Sequence, residues 1–91
     1  MSEYKWDLRK ARINVHKHGI TFEEADSVVS SPLAVWSTDN RIGDRDVRKR
    51  VVGWSSEGRL LLVIVSVSGQ RPRIISARRA TKREHDAYTD R

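Results

Sequence analysis

Apolar residues at Leu8, Ala11 and Val15 recur at helical spacing and predict a first helix over Leu8–His18. Asp7 stands where a helix N-cap is wanted, because its carboxylate can accept hydrogen bonds from the first free backbone amides. Gly19 supplies the left-handed stop, with Lys17 and His18 in the last turn, where the helix dipole favours cations. Thr21-Phe-Glu-Glu24 reads as a capping box opening a second helix from Phe22 to about Ser30, and Pro32 closes it. Beyond Pro32 the pattern changes to strands. Leu33–Ser37 is a first strand, 39–46 a loop, Val47–Trp54 a second strand, and Ser55–Gly58 a hairpin turn with Gly58 at the position that wants positive φ. Arg59–Ser66 is apolar on both faces, which marks a central strand covered by helices on one side. Ser68-Gly69-Gln70 turns the chain into a last strand, Arg71–Arg79, and Thr81–Glu84 is another capping box opening a short helix to about Asp90. Tyr4-Lys5-Trp6 precedes all of this as a short extended segment. The predicted architecture is α+β: two N-terminal helices packed on an antiparallel β-meander with a short C-terminal helix, in one domain spanning 1–91.

Charge alters how this scaffold is understood. Of the 91 residues, 18 are Lys or Arg and 12 are Asp or Glu, a net charge of +6 that points to a polyanionic partner, with RNA in the lead. Cysteine is absent, which excludes disulfides and thiolate metal sites and suits a cytoplasmic home. The polar N-terminus predicts no signal peptide, and the longest apolar run, Leu60 to Val65, is too short to cross a membrane.

The cations are concentrated. Arg71, Arg73, Arg78, Arg79, Lys82 and Arg83 all precede the first acid of their run, Glu84, and four of them flank the β-rich stretch Ile74–Ala77. Arginines on a strand have fixed directions, and their planar donors match phosphate oxygens two at a time. A solvated edge strand is the plainer reading of such a run. A second block, Arg48-Lys49-Arg50, lies on the strand before the central hairpin. Strict alternation puts Arg48 and Arg50 on one face and Lys49 on the other. In the last strand it puts Arg71, Arg73 and Ala77 on one face and Ile74, Ser76 and Arg78 on the other, leaving open which of these faces Arg48 shares. Glu84 and Tyr88, four apart, lie on one side of the last helix. Glu84 there is either an acid/base carboxylate or the second half of a capping box, and Tyr88 either touches RNA or packs the helix on the sheet.

Other chemistry lacks support. His16, His18 and His85 are not at metal-ligand spacing with each other or with an acidic cluster, so no metal and no cofactor is expected. Phosphate loops and nucleophile elbows are absent. A basic site with few other groups suits RNA cleavage without metal, in which the 2′-hydroxyl attacks the adjacent phosphorus. Such a site needs a base, a proton source for the leaving oxygen and cations for the charge that builds on phosphorus.

The chain also resembles a known family. Trp6-Asp7, Lys10-Ala11-Arg12, Asn14, Lys17-His18-Gly19, Phe22–Ala25 and Val28-Val29 are similar to the N-terminal signature of the BrnT toxins. So are Gly53–Leu61 and Arg73-Ile-Ile-Ser-Ala-Arg-Arg-Ala80 followed by Glu84 and Tyr88. The resemblance implies a RelE-like fold and a metal-independent ribonuclease that arrests growth. It also implies a cognate antitoxin, a BrnA-like DNA-binding protein of ribbon-helix-helix type, through which the complex reaches operator DNA. Carried over by residue, it points to Arg73, Arg78 and Glu84, then Arg48 and Tyr88, as catalytic. Arg50, Arg71, Arg79, Lys82, Arg83, Lys49 and His18 remain as candidates for RNA contact, His18 serving equally well at its helix end. Lys49-Arg50 departs from the family, which commonly has a large apolar or aromatic residue after Arg48. A non-catalytic co-repressor acting with its antitoxin is the competing function, since phosphate neutralisation gives affinity with or without cleavage.

Overall fold

The computed structural model describes residues 4–39, 47–69 and 71–91. In chain order its elements are β1 (Lys5–Trp6), α1 (Leu8–His18), α2 (Phe22–Val29), β2 (Val35–Asp39), β3 (Arg48–Trp54), β4 (Leu60–Ser66), β5 (Arg73–Arg79) and α3 (Lys82–Thr89). The caps act as their residue types dictate. Asp7 Oδ1 accepts from the Arg9 and Lys10 amides at 2.7 and 3.2 Å. Gly19 ends α1 at φ 71° and donates its amide to the Val15 carbonyl. Thr81 and Glu84 form the reciprocal box that opens α3.

Two local expectations are corrected. At α2, Thr21 caps the Glu24 amide, but the Glu24 side chain does not return to the cap. It turns inward, where Ser55 Oγ donates to Oε2 at 2.6 Å and Arg59 grips both carboxylate oxygens. This pair, buried on the Glu24 side, ties α2 to the β3–β4 hairpin, and the Arg59 hydrogen bonds hold the Glu24 carboxyl below its ordinary pKa. The second correction concerns strand limits. β2 begins two residues later than the apolar pattern suggested, with Leu33 left 70% exposed in the preceding turn, and Asp39 belongs to the strand rather than to the loop. β5 begins at Arg73, so Arg71 and Pro72 lie outside it. The rest of the expected loop, 40–46, lies outside the described residues.

The strands form one sheet in the order β1-β5-β4-β3-β2. β2 to β5 are the antiparallel meander, while β1 adds a parallel edge through Lys5↔Arg73 and Trp6↔Ile74. β4 is buried along its whole length, as expected of a central strand. Helices α1 and α2 cover one face. Ile20, Phe22, Ala25, Val28 and Val29 pack there against Val51, Leu61, Val63, Val65, Ile74 and Ala77. Gly53 allows this approach: a Cβ at that position would stand 3.3 Å from Ala34 and from Val28. No helix among the described residues is long and apolar enough to cross a membrane.

A bulge in β5 decides which arginines share a side. Ile64 pairs with Ser76 but Val65 pairs with Ile74, so Ile75 is the extra residue. Past the bulge the alternation reverses. Ile74 and Ala77 therefore both enter the helix-covered core, and Arg73 and Arg78 both lie on the opposite face, where strict alternation had separated them.

Candidate active site

The face opposite α1 and α2 is organised in rows by strand register. Its successive rows are Trp54–Leu60, then Val35–Val52–Leu62–Arg78, then Ser37–Arg50–Ile64–Ser76, then Asp39–Arg48–Ser66–Arg73. All four candidate arginines, Arg48, Arg50, Arg73 and Arg78, thus share one side of the sheet. Arg78 and Arg50 stand in adjacent rows, and α3 lies against them.

Glu84 joins the two. Its Oε1 accepts from Arg78 Nη1 and from the Thr81 amide, both at 2.8 Å. Its Oε2 accepts from Arg78 Nη2 and Arg50 Nη2, both at 2.9 Å. The capping box fixes the carboxylate at the start of α3 and the bidentate Arg78 fork fixes its plane. The capping role that the sequence offered is fulfilled, and the same side chain also pairs with both arginines. The hydrogen bonds from Arg78 hold the carboxyl at about 2; the Thr81 amide and the charges of Arg78 and Arg50 add to them, and partial burial opposes them. The side chain of Glu84 is 15% exposed and those of Arg50 and Arg78 are 38% and 37% exposed, so the arginines remain reachable from solvent.

The other candidates fall into three groups. Arg48 and Arg73 share the face but flank Ser66 two rows from Arg78, roughly 13 Å along the strands. Their side chains extend the track rather than enter the Glu84 cluster. Arg71 sits beside Arg73, and with Lys5, Ser68 and Gly69 they line a hollow of about 540 Å³ at the sheet's end. Tyr88 donates its hydroxyl to the Leu33 carbonyl at 3.1 Å, and the Arg91 guanidinium lies 4.1 Å over its ring. The phenol thereby fastens α3 to the turn that precedes β2, and with Arg50, Val52 and Glu84 it borders a hollow of about 190 Å³. Lys82 pairs with Asp86 on the outside of α3, and Arg83 is exposed on the same helix. Lys49 and Arg79 belong to the helix-covered side by register: Lys49 Nζ donates to Thr38 Oγ1, and Arg79 adds its charge to the field at Glu24. His18 closes α1, outside the arginine face.

Arg50, expected only as an RNA contact, is a direct partner of Glu84. Two further contributors were given no role from sequence. Asn14 clamps β5 from α1, and Trp54 meets His85 at the end of the face. Among the described residues no three His, Asp or Glu side chains gather as metal ligands.

Two carboxylates of the fold contribute to the acid response. Glu24 and Glu84 are held below their ordinary pKa when folded, so below about pH 4.5, and for Glu84 down to about 2, the unfolded chain binds protons that the folded one refuses. The stability they contribute is complete at neutral pH and is lost as pH falls through that window. Melting temperature measured against pH should be level near neutrality and drop below about pH 4.5. Glu84→Gln should flatten part of the drop.

The small α+β fold carries a cationic sheet face with a carboxylate bracketed by arginines, a surface suited to a polyanion. Residues 6–84 match the family described as ribonuclease toxin, BrnT, of type II toxin–antitoxin systems. The chain belongs to the BrnT family. Membership implies an RNA substrate and an antitoxin partner. The crystal structure of the Brucella abortus ribonuclease toxin BrnT superposes with a TM-score of 0.61 at 23% identity, covering 87% of this chain and 96% of that one. That likeness speaks for the fold. No curated protein matches this chain by sequence.

Proposed function

We propose that the whole chain is one toxin domain, a metal-independent endoribonuclease that cleaves RNA by 2′-hydroxyl attack and arrests growth in the cytoplasm. A BrnA-like ribbon-helix-helix antitoxin would neutralise it and carry the complex to operator DNA. The observation that carries the catalytic reading is the Arg50–Glu84–Arg78 cluster on a face shared with Arg48 and Arg73.

In this mechanism Arg78 and Arg50 bind the non-bridging oxygens of the scissile phosphate and offset the charge that develops on phosphorus. Glu84 holds both guanidinium groups in place before substrate arrives. With its carboxyl at about 2 it is a weak proton acceptor in the free protein. An arriving phosphate competes for the same donors, and a carboxylate that shares them with phosphate regains proton affinity. Glu84 is then placed to take the 2′-hydroxyl proton as the 2′-oxygen–phosphorus bond forms. The bond to the 5′-oxygen breaks, the departing oxygen takes a proton from solvent water, and the products are a 2′,3′-cyclic phosphate and a 5′-hydroxyl. Arg48 and Arg73 hold neighbouring phosphates, and Tyr88 contributes by keeping α3 seated.

Incubating purified protein with a defined single-stranded RNA in EDTA tests this. Cleavage with 2′,3′-cyclic phosphate ends is the expected result. Absence of cleavage, also with ribosomes added, would assign the arginine face to the non-catalytic co-repressor.

A further inference from the structure

Trp54 ends the arginine face, and nothing in the mechanism above uses it. Its indole is 47% exposed at the hairpin end of β3. The imidazole of His85 meets it edge to face, with ring centroids 5.9 Å apart and planes at 89°. Such a pair covers at most one face of either ring, so the contact leaves aromatic surface open. The two rings border a hollow of about 210 Å³, with Arg79 and Arg59 on its rim and Leu60 and Gly58 beneath. Arg59 is engaged by Glu24, and the other cation of the rim is the exposed Arg79, which reaches it from the helix-covered side. Aromatic faces bordered by arginine are what an unpaired nucleobase with its phosphate requires, because stacking accepts any base and the cation holds the backbone.

The position relative to the cluster makes the hollow part of the same track. Trp54 stands one row beyond Val52–Leu62–Arg78, roughly 7 Å along the strand and about 10 Å across the sheet from Arg78, a span that the long arginine side chain shortens. His85 directly follows Glu84. A base stacked here therefore belongs to a nucleotide adjoining the phosphate held by Arg78. We propose that Trp54 and His85 form a nucleobase-stacking subsite that seats single-stranded RNA next to the scissile phosphate. The inference rests on the RNA-directed reading of the arginine face, and it makes Trp54 a substrate-positioning residue.

Two measurements separate this subsite from the catalytic reading. In the first, Trp6→Phe and Trp36→Phe leave Trp54 as the reporter indole. It is titrated with an RNA trinucleotide methylated at every 2′-hydroxyl, which cannot be cleaved, and with an abasic trinucleotide of the same charge. Saturable quenching by the base-bearing trimer and not by the abasic one is expected, whether or not the protein cleaves RNA. Equal quenching by both, or none by either, overturns the subsite. In the second, Trp54→Ala raises KM for RNA cleavage roughly tenfold and moves kcat far less, while Trp54→Phe recovers most of the loss. An unchanged KM would assign the exposed indole to protein contact, with the antitoxin as the partner, and would also overturn the proposal.

Discussion

Arg78→Ala is expected to lower RNA cleavage by about 10³ or more while the protein stays folded. Arg78 supplies two of the four hydrogen bonds on Glu84, and its remaining bond, to the Arg79 carbonyl, is local. Its side chain is 37% exposed, so the ion pair it loses contributes at most about 1 kcal/mol to folding. For a domain of this size that is a shift in melting temperature of a few degrees, up to about 8 °C. Arg78→Lys should recover little of the rate, because a single ammonium cannot reproduce the planar fork that spans two oxygens. Arg50→Ala should cost less, since Arg50 makes one bond to the cluster. Rates and melting curves on the same preparations decide the matter: a loss of stability as large as the loss of rate would make Arg78 structural, and an unchanged rate would remove it from the site.

The same cluster governs how rate depends on pH. A carboxyl held at about 2 in the free protein puts no acid limb into kcat/KM between about pH 4 and 7. Glu84→Gln preserves the shape and one acceptor for the arginines but accepts no proton. If Glu84 only orients Arg50 and Arg78, this variant keeps most of its activity; if it takes the 2′-hydroxyl proton, the loss approaches that of Arg78→Ala.

Much of this site was legible because its determinants are local. The caps at Asp7, Thr21 and Thr81 and the turn glycines Gly19 and Gly58 act within a few residues, and they delimit α1, α2, α3 and the central hairpin. The arginine run and Glu84 could be singled out by charge alone. What sequence concealed were long-range choices. β1 is two residues long and its partner is the last strand, so no local period marks it. The bulge at Ile75 has no distinctive residue, yet it reverses the alternation and brings Arg73 and Arg78 to one side. Glu24 illustrates a local rule outcompeted. Its spacing from Thr21 fits a capping box, but the guanidinium of Arg59 and the hydroxyl of Ser55 hold its carboxylate more strongly than one backbone amide would.

Asn14 supports the strand that carries the site, and its replacement should be strongly destabilising. β1 covers β5 only at Arg73 and Ile74, leaving the edge of Ala77 without a strand neighbour. The buried Asn14 amide takes that place: Nδ2 donates to the Ala77 carbonyl at 2.8 Å, and Oδ1 accepts from the Ala77 amide at 3.0 Å. Nδ2 also donates to the Ile20 carbonyl at 2.9 Å, joining the α1–α2 connection to the same clamp. Asn14→Leu keeps the bulk but orphans three buried backbone groups, at a cost of about 3 kcal/mol, or about 12–24 °C in melting temperature. Asn14→Asp is the sharper test. The carboxylate can still accept from the Ala77 amide, but it faces two carbonyls and gains stability only when protonated. Its folded pKa is therefore raised, and its contribution is present at low pH and lost as pH rises, opposite in sign to that of Glu24 and Glu84. Relative to the wild type, the melting temperature of Asn14→Asp should recover as the solution is acidified from pH 7 to about pH 5. A deficit that does not change with pH would mean that the clamp acts through packing rather than through its hydrogen bonds.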